Sequence, residues 1–281
     1  MLAAVWLARA LPEVAAVGLA HLVARIASRL SRYRGIALEN VGRALGNEIP
    51  EEQLTGIVRA AFLNVCLSGI ELARISWLPP GRFDDRIEIS GLERYREATA
   101  GGKGSIIFTA HLGNWEACGS WVTRHVQEKL AVLVRLQPNP FASELLVRVR
   151  HRLGLTVIPK QAPGSAVRGF LDDGYAVVFL ADQYGGRAGV PVKLFGAETR
   201  APKGPAVYAL RTGAPLIPAF TVRLPGRLFS HRIHVEPPLE VERTGDVAHD
   251  VQVNTQRLVD VLESYVRQYP EQWLWMHRRW R

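Results

Sequence analysis

The chain has 281 residues, 48% of them hydrophobic and 22% charged, a balance that excludes disorder and low-complexity fibres and supports a large buried core. Two cysteines, Cys66 and Cys118, exclude a disulfide scaffold and a four-thiolate metal site and fit a reducing compartment. The formal net charge of +9 points to an anionic partner, with nucleic acid, anionic lipid and acidic small molecules all open. Of the 35 cations, 30 are arginine, whose planar fork suits phosphate, although a GC-rich genome would produce the same bias without function.

In chain order, residues 1–34 are apolar but interrupted by Arg9, Glu13, Arg25 and Arg29, and the longest uncharged run, Val14 to Ala24, has 11 residues. A spanning helix needs roughly 20 mostly apolar residues, and no signal-peptide pattern fits. His21, Arg25, Arg29 and Arg32 stack on one helical face with Leu22, Val23, Ile26 and Leu30 elsewhere, which predicts an amphipathic helix lying at a membrane interface. An ordinary surface helix packed on the body has the same pattern. A second helical block runs from Glu51 to Trp77, ahead of a Pro79-Pro80-Gly81 break. Beyond it, short β-rich runs (RIEI, SIIFTA, LAVLVR, LTVIP, YAVVFLAD, PLIPAFTVRL, LFSHRIHVE) alternate with helical stretches, and a last helix spans Asp246 to Tyr269. The fold class expected is α/β, a mostly parallel sheet flanked by helices. The organisation expected is an interfacial helix over 1–34 and one domain over 35–281, divided into a helical lead-in at 35–85 and the α/β core at 86–281.

GGKGS at 101–105 lacks the spacing of a phosphate loop and precedes a strand, so it reads as a turn. There is no Gly-x-Ser-x-Gly elbow, His-Glu-x-x-His or paired Cys-x-x-Cys, so neither a hydrolase serine nor a metal is expected, and nothing calls for a cofactor.

The sharpest feature is HLGNWE, with His111 and Glu116 five positions apart directly after SIIFTA. Spacing alone decides nothing, because HRIHVE repeats it at His231 and Glu236. The second pair lies in an alternating strand, where residues five apart face opposite ways, so His231 is assigned a structural role. In the first, His111 ends a strand, Gly113 permits a tight turn and Asn114 suits the N-cap of a helix carrying Glu116 in its first turn. That placement can join imidazole and carboxylate as a general base oriented by an acid. Cys118, close by, reads as a small buried hydrophobe.

At these residues the sequence resembles the bacterial lipid A biosynthesis acyltransferases, the lauroyl/myristoyl acyltransferase family within the glycerolipid acyltransferase superfamily. The resemblance runs through SRYRGIALENVGRAL, TAHLGNWE, VRLQPNP, FLADQYGGRAGVPVKLFG, GPAVYALRTGAPLIPAF and PEQWLWMHRRWR. It implies transfer of a fatty acyl chain from a thioester carrier, acyl carrier protein or acyl-coenzyme A, to a hydroxyl of a lipid A precursor at the cytoplasmic face of the inner membrane. A phosphatidylinositol mannoside or another glycolipid or lysophospholipid is the alternative acceptor. It further implies a chain held on an anionic membrane surface as a peripheral or monotopic protein, with no nucleic acid partner. Carried over by position, His111 is the base and Glu116 its partner, and Arg135, Asp182, Gln183, Asn114, Lys203 and Gly204 bind substrate. GGRAG at 185–189 would line the substrate, and the aromatic and basic C-terminus suits either lipid headgroups or packing over the sheet. A basic membrane-binding or nucleic-acid-binding module and a thioesterase are the competing readings.

Overall fold

The computed structural model describes residues 9–75, 82–126, 128–135 and 139–281. Residues 1–8, the break at 79–81 and residues 136–138 of VRLQPNP lie outside them. Three helices, α1 (Glu13–Leu30), α2 (Tyr33–Leu45) and α3 (Glu51–Ile75), precede β1 (Ile87–Ser90), α4 (Leu92–Thr99), β2 (Ser105–Thr109), α5 (Trp115–His125) and β3 (Leu130–Val134). Then follow α6 (Pro140–Arg152), β4 (Thr156–Pro159), α7 (Gly164–Asp172), β5 (Ala176–Leu180), β6 (Val190–Leu194), β7 (Ala197–Ala201) and α8 (Gly204–Thr212). The chain closes with β8 (Leu216–Arg223), β9 (His231–Val235) and α9 (Val247–Gln268).

The seven-stranded sheet has the order β1-β9-β8-β2-β5-β3-β4. The β8, β2, β5, β3 and β4 strands run parallel, and β9 turns back antiparallel to β8 with β1 parallel beside it. The central strands carry near-continuous apolar runs because helices cover both faces. In β2 every residue but Ile107 is buried. The α/β expectation and its strand positions are therefore realised.

The β6–β7 hairpin was not expected from the sequence. Val190–Leu194 and Ala197–Ala201 pair antiparallel around Phe195 and Gly196, both at positive φ (52° and 71°), as a two-residue primed turn requires. Pro191 in the first strand and a phenylalanine in the turn hide that signal. Phe195 is anchored there by its backbone N–H to Glu263 and by its ring, which packs near Trp275 and Trp280.

The first helix is less separable than the expected boundary at residue 34 suggests. Its small residues Ala16, Ala20, Ala24 and Ser28, one turn apart, are buried against the body, where α1 packs on α3. Glu13 holds Arg86 at 3.2 Å and the Leu228 N–H at 2.9 Å. The other side of α1 leaves Leu22, Ile26 and Leu30 exposed at 56%, 50% and 82%.

By length and composition α3 could cross a bilayer, and so could α1 with α2 were they one span, but those two meet at 83°. What α3 carries is a buried polar cluster beneath the sheet. Glu71, with no exposed surface, accepts hydrogen bonds from Arg223 (Nη2 at 2.9 Å, and Nη1), the Phe229 N–H (2.7 Å) and the Asn114 amide (2.7 Å), and pairs with His231 Nε2 (3.1 Å). Burial alone would raise its pKa, but His231 and Arg223 hold it well below the usual carboxylate range.

His231 thus has the structural role expected of it, with Glu71 as its partner, while Glu236 accepts from the Tyr265 hydroxyl. Removing one member of such a network strands the others without solvent. Glu71→Ala should therefore cost about 3–5 kcal/mol in urea unfolding, against less than about 0.5 kcal/mol for the exposed Glu240→Ala. Equal costs would contradict the network.

Candidate active site

The register of the two central strands builds the site. Thr109 of β2 sits opposite Leu180 of β5, and the ladder continues one residue further through Ala181 N–H to Thr109 O at 3.1 Å. Two residues beyond the strand ends, His111 and Asp182 therefore face each other. His111 Nδ1 lies 2.7 Å from Asp182 Oδ1, and the His111 N–H donates to Oδ2 at 2.9 Å. A third donor, the Trp273 indole N–H, reaches Oδ2 at 2.8 Å. Asp182 is 2% exposed. Burial would raise its pKa, yet the charge of His111 and these hydrogen bonds hold it down at about 2.

An ionised carboxylate can only accept, so the His111 Nδ1 donates to it, and in the neutral imidazole Nε2 is the nitrogen that carries the lone pair. Here the structure departs from the expected pairing of His111 with Glu116. Glu116, in the first turn of α5, is gripped by Arg150 of α6, whose Nε lies 3.0 and 3.1 Å from the two carboxylate oxygens and whose Nη2 also donates. The turn carries the two side chains to different partners. Trp115 packs edge-on against the His111 ring at 4.7 Å.

The turn itself is held from three sides. Gly113 has φ +58°, and a Cβ there would come within 2.5 Å of the Thr221 carbonyl oxygen; no other residue type fits. Leu112 pairs antiparallel with Trp273, and Leu274 N–H donates to His111 O at 3.1 Å. From α3, Asn64 donates to both Gly113 O and Gln272 O (3.1 and 3.0 Å), and Ser68 to Gly113 O. The C-terminal tryptophans are accordingly packed inside, with Trp273, Trp275 and Trp280 all buried, and Asn40 ties Trp275 O and His277 O.

His111 opens into a cavity of about 520 Å³ between one face of the sheet and helices α5 and α6. Its walls are mainly apolar, with Ile107, Val132, Val178 and Leu146 among them, and Glu116, Arg150, Arg135, Gln183 and His277 also line it. Burial lowers the pKa of His277, and its Nε2 accepts the Tyr184 N–H at 3.2 Å, so its imidazole is neutral. Arg135, exposed just beyond β3, has no carboxylate partner among the described residues.

Of the other expected substrate-binding residues, Asn114 has a different part. It is buried, caps α5 by accepting the Ala117 N–H at Oδ1 and gives its amide to Glu71, and it is not among the residues that line the cavity. Lys203 is exposed at the start of α8 and Gly204 packs on the Phe179 ring, while Pro202 is the neighbour that lines the cavity. Gly185 and Gly189 of GGRAG close against Ala201 of β7 and are not among the residues that line the cavity. Cys118 is buried, and burial pushes its thiol pKa up, as an inert side chain requires. Sequence reasoning missed Trp273, Arg150 and His277; the WLWMHRRW stretch was the visible signal for two of them. Among the described residues no cluster of side chains could hold a metal ion.

An imidazole paired with a buried carboxylate and lining a mainly apolar cavity fits the similarities of the whole chain. The family model for bacterial lipid A biosynthesis acyltransferases matches residues 1–281. The chain belongs to that family. It is a lipid acyltransferase. Among curated relatives, the phosphatidylinositol mannoside acyltransferase of Mycolicibacterium smegmatis is 28% identical, over 99% of this chain and 90% of that one. The protein of the same name from Mycobacterium tuberculosis is 29% identical, over 99% and 87%. The lipid A biosynthesis lauroyltransferase of Escherichia coli is 24% identical, over 98% and 88%.

The Asp182 shift fixes a pH dependence of the acyltransferase's stability. A carboxyl group lowered from 3.8 to about 2 on folding stabilises the protein fully above pH 4, and that stabilisation disappears as pH falls toward 2. The stability gap between the protein and its Asp182→Asn variant should narrow by about 2 kcal/mol from about pH 5 to about pH 2, at 1.36 kcal/mol per pKa unit. A gap independent of pH in thermal melts is the contrary result.

Proposed function

We propose that the acyltransferase moves a fatty acyl chain from a thioester to a sugar hydroxyl of an anionic membrane glycolipid, with His111 as general base and Asp182 as the group that orients it. The observation that carries this reading is the Nδ1 hydrogen bond to Asp182, which makes Nε2 the proton-accepting nitrogen of the neutral imidazole, on a residue that lines the cavity. The acceptor hydroxyl gives its proton to Nε2 as its oxygen attacks the thioester carbonyl. When the tetrahedral intermediate collapses, the C–S bond breaks and the imidazolium returns that proton to the departing thiolate. Asp182 stabilises the imidazolium in between.

In this reading the apolar cavity holds the donor's acyl chain, and Arg135 holds a phosphate of the donor or acceptor at the mouth. Acyl carrier protein and coenzyme A both present such a phosphate on the same arm. Glu116 keeps Arg150 in place in the cavity wall. The higher identity to the mannoside acyltransferases favours a phosphatidylinositol mannoside over a lipid A precursor as acceptor. The exposed Leu22, Ile26 and Leu30 beside Arg25 and Arg29 support an α1 seated in the interface of the cytoplasmic leaflet.

His111→Ala should lower kcat by about 100- to 10,000-fold with circular dichroism unchanged, whereas His231→Ala should lower Tm and leave the activity of the folded fraction. Arg135→Lys, which keeps charge and loses the fork, should raise KM. Equal losses of kcat at His111 and His231 would overturn the assignment, and acid release that added glycolipid does not suppress would make the protein a thioesterase. Mass spectrometry of membrane lipids with and without the gene names the acceptor.

The membrane reading has its own test. Since α1 is packed into the body, surface changes are more telling than truncation. Leu22→Ser, Ile26→Ser and Leu30→Ser together should move the folded protein from anionic vesicles into the supernatant; unchanged co-sedimentation would place the contact elsewhere.

A further inference from the structure

Gly119 lies in the middle of α5, where glycine costs about 1 kcal/mol relative to alanine. Its φ is not positive, and a Cβ added there would meet only the Leu155 side chain, at an ordinary 3.5 Å. Neither backbone conformation nor a close approach calls for glycine at this position. What Gly119 does border is the cavity. Along α5, Trp115, Gly119, Val122 and Val126 all line it, and their spacing of four, three and four residues is one continuous helical stripe.

The cavity therefore runs the length of α5 from His111 toward the opposite edge of the sheet. From Trp115 to Val126 the helix rises about 16 Å. The β3 wall from Leu130 to Val134 covers about 13 Å. At about 1.25 Å per methylene for an all-trans chain built from bonds of about 1.52 Å, this takes roughly a dozen carbons. The far end is not apolar. Tyr95, buried, accepts a hydrogen bond at its hydroxyl from Ser105 Oγ at 3.4 Å and interacts with the Glu128 carboxylate, and both Tyr95 and Glu128 line the cavity. A terminal methyl has nothing to gain from advancing into those groups.

We propose that Tyr95 and Glu128 form the floor of an acyl-chain ruler and that Gly119 is the gap in its wall through which the chain passes, so that these positions set the donor chain length. This rests on the reading that the cavity holds the donor's acyl chain. Each methylene up to the floor adds buried apolar surface, about fourfold in affinity, the equivalent of about 0.8 kcal/mol; methylenes beyond it add none. A side chain at Gly119 fills the passage about one helical turn below Glu116 and shortens the usable length. Removing the Tyr95 ring lengthens it.

The test uses the full chain and saturated acyl-coenzyme A thioesters from octanoyl to stearoyl, competing against a fluorescent polyene fatty acid. Wild-type affinity should climb about fourfold per methylene and then level off. Gly119→Leu should move that plateau to chains several carbons shorter, with at least tenfold weaker binding of the longest donors. Gly119→Ala, which fits beside Leu155 and favours the helix, should move it less in the same direction, and Tyr95→Ala should move it to longer chains. Folding is checked by circular dichroism, and the alanine variant keeps the test open if the leucine variant does not fold. The same plateau in every folded variant, or an equal loss at all chain lengths, would overturn the ruler. If the wild type shows the plateau but turns over no thioester with membrane lipids present, the acyl-transfer reading fails and the ruler stands. If the folded wild type binds no acyl-coenzyme A, both fall.

Discussion

The buried carboxylate of Asp182 is the constraint on which the site depends. An ion taken out of water costs several kcal/mol unless it is paired and hydrogen-bonded, and Asp182 meets that demand with three donors from two distant parts of the chain. The backbone and ring of His111 come from the end of β2, and the Trp273 indole comes from the C-terminal segment. The two-residue extension of β2 and β5, the return of residues 273–277 across the turn and the tautomer of His111 are thus one arrangement. Loosening any part leaves an unsatisfied charge in the interior.

A second buried carboxylate repeats this logic one layer below. Glu71 of α3 satisfies itself with Arg223, His231, the Phe229 N–H and Asn114, and so joins α3 to β8, β9 and the N-cap of α5. Between the two acids lies the turn from His111 to Asn114, with Gly113 pressed against Thr221. The imidazole is therefore fixed by its own hydrogen bond and by a turn that cannot relax, the rigidity that the proposed general-base role needs. The long apolar α3 serves as the support of the site, which explains the polar residues Asn64, Ser68 and Glu71 along it.

The sequence made the layered α/β fold readable because the central strands are apolar runs bounded by turns and the helices keep their own period. His111 and Asp182 could each be placed at the end of a strand. Their pairing could not, because β2 and β5 are neighbours in space but not in sequence, and register between such strands leaves no local signal. Glu116 drew the expectation of a dyad through proximity in sequence, while its real partner, Arg150, is 34 positions away on another helix. The terminal tryptophans were visible as residues with a task, but interior packing and a membrane contact demand the same aromatic and basic composition.

The most direct test of this account is a double-mutant cycle in the acyl-transfer reaction, with His111→Ala, Asp182→Ala and the two together, each confirmed as folded. If Asp182 acts through His111, the double variant loses little more kcat than His111→Ala alone, because members of one catalytic unit are strongly non-additive. If the two losses multiply, Asp182 does not work through the imidazole, and the central pairing is contradicted.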